Sequence, residues 1–186
     1  MTSYQVHTTD TASQAAADLL KKAQEKYGFV PNILGVMAEA PPILKAYMTL
    51  AGIFSETSFT ETERQIVLLA TSLANECNYC MAAHTAIAGM HKVPEDVVQS
   101  IRNNQPIKDG KLETLRRLAQ EIAEKKGNPS QNTLKAFLEA GYTQGQVLEV
   151  ILGVGFKTLS NYTNHLADTP LDEAFKPAEW HAQEAA

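Results

Sequence analysis

The sequence predicts an all-α protein of about eight helices. Apolar residues recur at helical spacing in one segment after another, and no segment alternates polar with apolar over strand length. Helix start and stop signals punctuate the chain at short intervals. Its 186 residues, 44 % hydrophobic and 20 % charged, suit a single domain with a substantial core. Residues 1–11 are polar and Thr-rich and read as a flexible N-terminal arm. Residues 12–186 then form the domain, with a C-terminal tail from about 169.

From Ala12 to Lys26, Ala16, Leu19, Leu20 and Ala23 mark an amphipathic helix that Gly28 stops. Pro31 biases Val30 toward an extended shape, and Asn32 is expected to cap a short helix through Met37. Pro41-Pro42 breaks that helix and starts another, with Leu44, Tyr47 and Ala51 inward. Thr60-Glu-Thr-Glu63 is a capping box opening a largely apolar helix to about Leu73. Asn75 is expected to cap the next helix, which runs to Gly89 or Met90. Pro94 restarts a short helix, and Asp109 caps an amphipathic one from Lys111 to Lys126, where basic residues and Gly127 close it. Ser130 caps a short helix through Ala140, and Thr143-Gln-Gly-Gln146 is a second capping box leading into a long apolar helix to about His165. The tail begins at Thr169-Pro-Leu-Asp172 and carries the only tryptophan, Trp180.

Composition excludes several functions. A net charge of -5 with no basic stripe leaves no basis for general nucleic-acid binding. No run of eighteen apolar residues suggests a membrane span. Met1 to His7 lacks the basic and apolar regions of a secretory signal, so a cytoplasmic location is expected.

The chemistry concentrates in Asn75-Glu-Cys-Asn-Tyr-Cys-Met-Ala-Ala-His84, which holds both cysteines. Cys77, Cys80 and His84 stand at i, i+3 and i+7, on one helix face. A helix N-terminus favours thiolate over thiol, and His84 can take the thiol proton or, as an imidazolium, stabilise the anion. One reading is therefore a catalytic dithiol, in which one thiolate attacks and the second thiol resolves the intermediate. A metal site is the second, but it needs a fourth ligand, with His91, His165 or a carboxylate as candidates. The third is two buried small hydrophobes beside a satisfied core histidine. A thioredoxin-like site is discarded, because it needs a strand before the motif and residues 61–73 read as helix.

Ile66-Val-Leu-Leu-Ala-Thr-Ser-Leu-Ala-Asn-Glu-Cys77-Asn-Tyr-Cys80-Met-Ala-Ala-His84 resembles the core of the carboxymuconolactone decarboxylase-like family, in its alkylhydroperoxidase D branch. Gly28-Phe-Val-Pro-Asn32, Asn161-Tyr-Thr-Asn-His165 and Thr169-Pro-Leu-Asp172 resemble its longer, peroxidase-related members. The resemblance implies an all-helical subunit assembling into trimers or hexamers, which reduces hydroperoxides without a bound cofactor or metal. It also implies Cys80 as the peroxidatic thiol, Cys77 as the resolving thiol and His84 in a proton relay. A lipoyl-type or other dithiol protein would supply electrons. The alternatives are a non-enzymatic helical oligomer with a redox-sensing dithiol, or a decarboxylase acting on a cyclic lactone.

One position departs from the family pattern: Gln65 stands twelve residues before Cys77, where the branch carries Glu. Gln can hydrogen-bond but cannot exchange a proton at neutral pH. Glu61 lies about 40° from Gln65 around the helix and Glu63 about 160°, so Glu61 is the nearer substitute in a relay. His165 ends the long helix, where it satisfies the last carbonyls or lines the cysteine pocket, in its own or a neighbouring subunit.

Overall fold

The computed structural model describes residues 4–182, and these contain nine α-helices, one 3-10 helix and no strand. In chain order they are α1 (Gln14–Tyr27), α2 (Asn32–Met37), α3 (Pro41–Ser55), α4 (Glu61–Ala74), α5 (Asn78–Met90), α6 (Glu95–Arg102), α7 (Gly110–Glu124), α8 (Gln131–Glu139) and α9 (Gln144–Ala167). The 3-10 helix spans Glu173–Ala178 in the tail.

α4 is the central strut. It is buried without a break from Gln65 to Ser72, as a helix apolar on every side must be, and packs against α5, α6, α7 and α9. Its interior hydroxyls return to the helix backbone, Thr71 to the Val67 carbonyl at 2.7 Å and Ser72 to that of Leu68 at 2.8 Å. The capping box forms as its sequence dictates. The Thr60 N–H donates to the Glu63 carboxylate at 2.8 Å, and the Glu63 N–H donates to the Thr60 hydroxyl at 3.3 Å. Thr143 and Gln146 repeat the device at the start of α9, while Asp109 and Ser130 cap α7 and α8.

The core has two parts, and α5 lies between them. Met81 faces the larger cluster around α4, α7 and α9. Cys77, Tyr79, Cys80 and Ala82 face a smaller one built by α1, α2 and α3. α9 comes very close to α3 and α4: a Cβ on Gly153 would lie 2.6 Å from Phe54 and 2.7 Å from Val67.

Two expected caps are corrected. Asn75 closes α4 instead of opening α5. Glu76 takes a left-handed conformation (φ 53°), its N–H bonds to the Leu73 carbonyl and that of Cys77 to the Ser72 carbonyl. This Schellman turn is so tight that Cys77 itself becomes the N-cap residue of α5. Asn32 is likewise the first residue of α2, after Pro31. Its N–H donates to the Asp172 carboxylate at 3.0 Å, so a tail residue caps α2 from far along the chain.

Of the arm, residues 1–3 lie outside the described residues, as do 183–186 of the tail. The His7 N–H donates to the Gly35 carbonyl at 3.1 Å, and Gly35 has no room for a Cβ beneath it. The tail crosses α5: Tyr79 donates its hydroxyl hydrogen to Asp172, and Trp180 Nε1 donates to the Arg102 carbonyl at 3.0 Å.

Candidate active site

Both thiols are free and each is 1 % exposed. Cys77 at the N-cap and Cys80 in the first turn sit where unpaired backbone N–H groups concentrate positive potential. The helix that meets them is α9, whose buried Lys157, Ser160, Asn161 and Asn164 stand at i, i+3, i+4 and i+7 on one face. Asn164 Nδ2 donates to Cys80 Sγ at 3.1 Å and lies 3.7 Å from Cys77 Sγ, so one amide joins both sulfurs. Ser160 Oγ is 4.0 Å from Cys80 Sγ. Asn161 is held by Asn75, whose Nδ2 donates to Asn161 Oδ1 at 2.9 Å.

These surroundings split the two thiols. Burial alone would push the Cys80 thiol up, but hydrogen bonding from Cys77, the Lys157 ammonium and the Asn161 and Asn164 amides together draw it well below the ordinary thiol value. Cys77 moves the other way, because its bond to Cys80 and its burial both favour the protonated form. The arrangement favours one thiolate and one waiting thiol.

The histidine is set by a chain of three residues. Gln65 Nε2 donates to Glu61 Oε1 at 2.8 Å, and a carboxylate can only accept, which fixes the orientation of the amide. Gln65 Oε1 is thereby turned to His84 Nδ1, 3.0 Å away. That oxygen also only accepts, so the proton sits on Nδ1 and Nε2 keeps its lone pair. Burial, and then the Lys157 charge, hold His84 well below the usual histidine range. Of the two roles expected for His84, its environment favours the neutral ring over an imidazolium, and the cation near Cys80 is Lys157.

A cavity of about 480 Å³ opens onto this group. Cys80, Gln65, His84 and Lys157 form its polar end, and Tyr47, Phe54 and Phe156 are among its aromatic walls. It reaches the exposed side chains of Lys26, Ser55 and Met90 at its rim. Cys77 does not line it. A molecule entering the cavity thus meets the Cys80 sulfur first.

Of the residues singled out in the sequence, Cys77, Cys80, His84, Gln65 and Glu61 come together. His165 does not; it is exposed at the end of α9, its ring 6.4 Å from that of Tyr162, while its neighbour Asn164 points at the sulfurs. His91 lies on the cavity rim. Among the described residues no three His, Cys, Asp or Glu side chains gather into a metal-binding cluster. Lys157 and Ser160 carry no sequence-based expectation, and Asn161 and Asn164 stand out in the sequence only within the Asn161–His165 motif, with no role attached. Their signal was present as polar residues at helical spacing inside an otherwise apolar helix.

Residues 41–121 match the carboxymuconolactone decarboxylase family profile. No curated protein matches the sequence significantly. Among solved structures, the chain is similar to an alkylhydroperoxidase AhpD core, an uncharacterized peroxidase-related protein from Ralstonia eutropha JMP134. The identity is 22 % and the TM-score 0.81, covering 92 % of this chain and 93 % of that one. The debrominase Bmp8, in a cysteine-to-alanine variant with 2,3,4-tribromopyrrole, is 14 % identical with a TM-score of 0.80, covering 96 % of each chain. An uncharacterized peroxidase-related protein from Silicibacter sp. TM1040 is 16 % identical with a TM-score of 0.74, covering 94 % of this chain and 95 % of that one. The family match is confined to residues 41–121, less than half of the chain, and the fold as a whole is alkylhydroperoxidase D-like.

Proposed function

We propose that the protein is a dithiol peroxidase that reduces hydroperoxides through a Cys77–Cys80 disulfide cycle. The observation that carries this reading is the placement of Cys80 in the wall of a cavity, polarised toward thiolate, with Cys77 behind it on the same Asn164 amide. The Cys80 thiolate attacks the terminal peroxide oxygen, forming an S–O bond as the O–O bond breaks. The departing alkoxide takes a proton to become an alcohol, and Cys80 is left as a sulfenic acid. His84 Nε2 is the base for the Cys77 proton, so that the Cys77 sulfur displaces water and closes the disulfide. An external dithiol, lipoyl-type or similar, then gives two electrons and two protons to restore the pair.

Reduced vicinal thiols fit a reducing compartment such as the cytoplasm. Self-association into trimers or hexamers is also part of the proposal. α9 leaves Leu148, Tyr162 and Leu166 exposed along one side, at 67, 57 and 76 %. Among the described residues no helix is long and apolar enough to cross a membrane.

Steady-state peroxide consumption with dihydrolipoamide as donor tests the reading. Wild type should turn over, Cys80→Ser should lose all activity, and Cys77→Ser should give one turnover and stop. Activity retained in Cys80→Ser would overturn the assignment.

A second reading is reductive dehalogenation, favoured by the aromatic walls of the cavity. There a ring C–Br bond becomes C–H, bromide leaves and the two thiols become a disulfide. Bromide release from 2,3,4-tribromopyrrole without peroxide turnover would select it.

A further inference from the structure

Lys157 is 2 % exposed and forms no ion pair with a carboxylate among the described residues. An ammonium that deep is costly unless an anion faces it. It lines the same cavity end as Cys80, one turn before Ser160, whose hydroxyl is 4.0 Å from the Cys80 sulfur. The other titratable groups lining the cavity are Lys26 and Tyr27 from α1, Tyr47 from α3, Glu61 and Arg64 from α4, Tyr79 and His84 from α5 and His91 just after it, with Cys77 behind Cys80. Glu61 is engaged by Arg64 at 2.9 Å and by Gln65, while Tyr47 and Tyr79 are held as neutral phenols by burial. Gln65 carries no charge. The Cys80 sulfur is the remaining anion.

We propose that Lys157 is the positioning residue that sets the redox balance of the dithiol, because only the reduced state gives its buried ammonium a counter-ion. Two electrons and one proton convert the Cys77–Cys80 disulfide into a Cys80 thiolate beside Lys157 and a Cys77 thiol. In the disulfide no sulfur carries charge, and the ammonium stays buried alone. The reduced state is thereby favoured, and the disulfide is readily discharged by an incoming dithiol. This deepens the dithiol reading, yet its test needs no peroxide.

The test equilibrates wild type, Lys157→Met and Lys157→Arg with glutathione redox buffers at pH 7. The dithiol fraction is then read by mass after acid quench and alkylation. Lys157→Met should shift the equilibrium toward disulfide by about tenfold or more, roughly 30 mV in potential, and Lys157→Arg should stay near wild type. A shift smaller than tenfold in Lys157→Met overturns the proposal. If that variant does not fold, the wild type supplies a second measurement in the pH dependence of Cys80 alkylation. Its midpoint should lie below the ordinary thiol value of about 8.5, and a midpoint at or above it overturns the proposal. The midpoint is read instead of the rate because a less acidic thiolate is intrinsically more nucleophilic. Peroxide turnover with an unshifted Lys157→Met potential would sink this inference and leave the dithiol reading standing.

Discussion

Gln65 decides what His84 can do with a proton. With its amide locked by Glu61, it presents a carbonyl to Nδ1 and keeps the ring in one tautomer, but it cannot pass the proton on. A glutamate there would set two carboxyl groups face to face, and such a pair shares a proton at neutral pH. Gln65→Glu should therefore add an ionisation to the pH profile of kcat/KM and raise peroxide turnover by about 10²-fold. An unchanged profile would contradict the role given to Gln65. The sequence places Glu61 beside Gln65 on one helix, and the family resemblance adds His84 to the same relay. The sequence does not reveal that the neutral form of His84 is favoured, because that depends first on its burial in the fold and then on Lys157, 73 positions away in the chain.

At the scale of elements, local signals are legible in the sequence and tertiary ones are not. The two capping boxes, Asp109, Ser130 and the left-handed stop at Gly28 involve residues only a few positions apart, and all appear where the sequence put them. Asn32 and Asn75 failed as caps because distant or competing geometry intervened: a carboxylate from the tail, and a Schellman turn that consumed the linker. The role of the polar face of α9 is hidden in the sequence for a related reason. Polar residues on a helix are normally solvated, whereas here that stripe faces the sulfurs and the apolar residues Leu148, Tyr162 and Leu166 face out. The close approach that brings α9 to the site depends on Gly153. Gly153→Ala should destabilise the fold by about 1–3 kcal/mol, since aromatic and Val side chains must shift to admit the methyl group. Urea denaturation checks this, and a midpoint equal to wild type would show that the contact is soft. Gly155→Ala, with open space around its Cβ, is the control and should be neutral or mildly stabilising.

For the whole molecule, acid should be the damaging direction. His84 and the carboxyls of Glu61, Glu113 and Glu121 all have folded pKa values below their unfolded ones, with Glu121 drawn down to about 2. Between the two values the unfolded chain binds more protons, so stability from these groups is complete above the unfolded pKa and is lost as pH falls. Asp172, raised by burial, works in the opposite sense. Thermal unfolding should thus show Tm falling below about pH 6.5 as His84 is forced to charge, and again below about pH 4.3 as the carboxylates protonate. His84→Gln should flatten the first step and leave the second, and a first step that persists would move its origin to another group.

The tail and the arm bind the same end of the molecule as the cysteines. Asp172 links α2 to Tyr79 of the cysteine helix, and Phe175 packs its edge on Tyr79 with ring centroids 6.1 Å apart. The all-helical class is legible from periodicity alone, but this closure is not, since nothing local in residues 169–180 predicts a partner. The proposed function rests on the two sulfurs exchanging electrons with a substrate in the cavity. The direct measurement is the mass of denatured, alkylated protein before and after one equivalent of cumene hydroperoxide. Two alkylated cysteines should be present before, and after it both should be protected as a Cys77–Cys80 disulfide that dithiothreitol reverses. Two alkylated cysteines remaining after peroxide, under conditions where free thiols in solution react, would contradict the account.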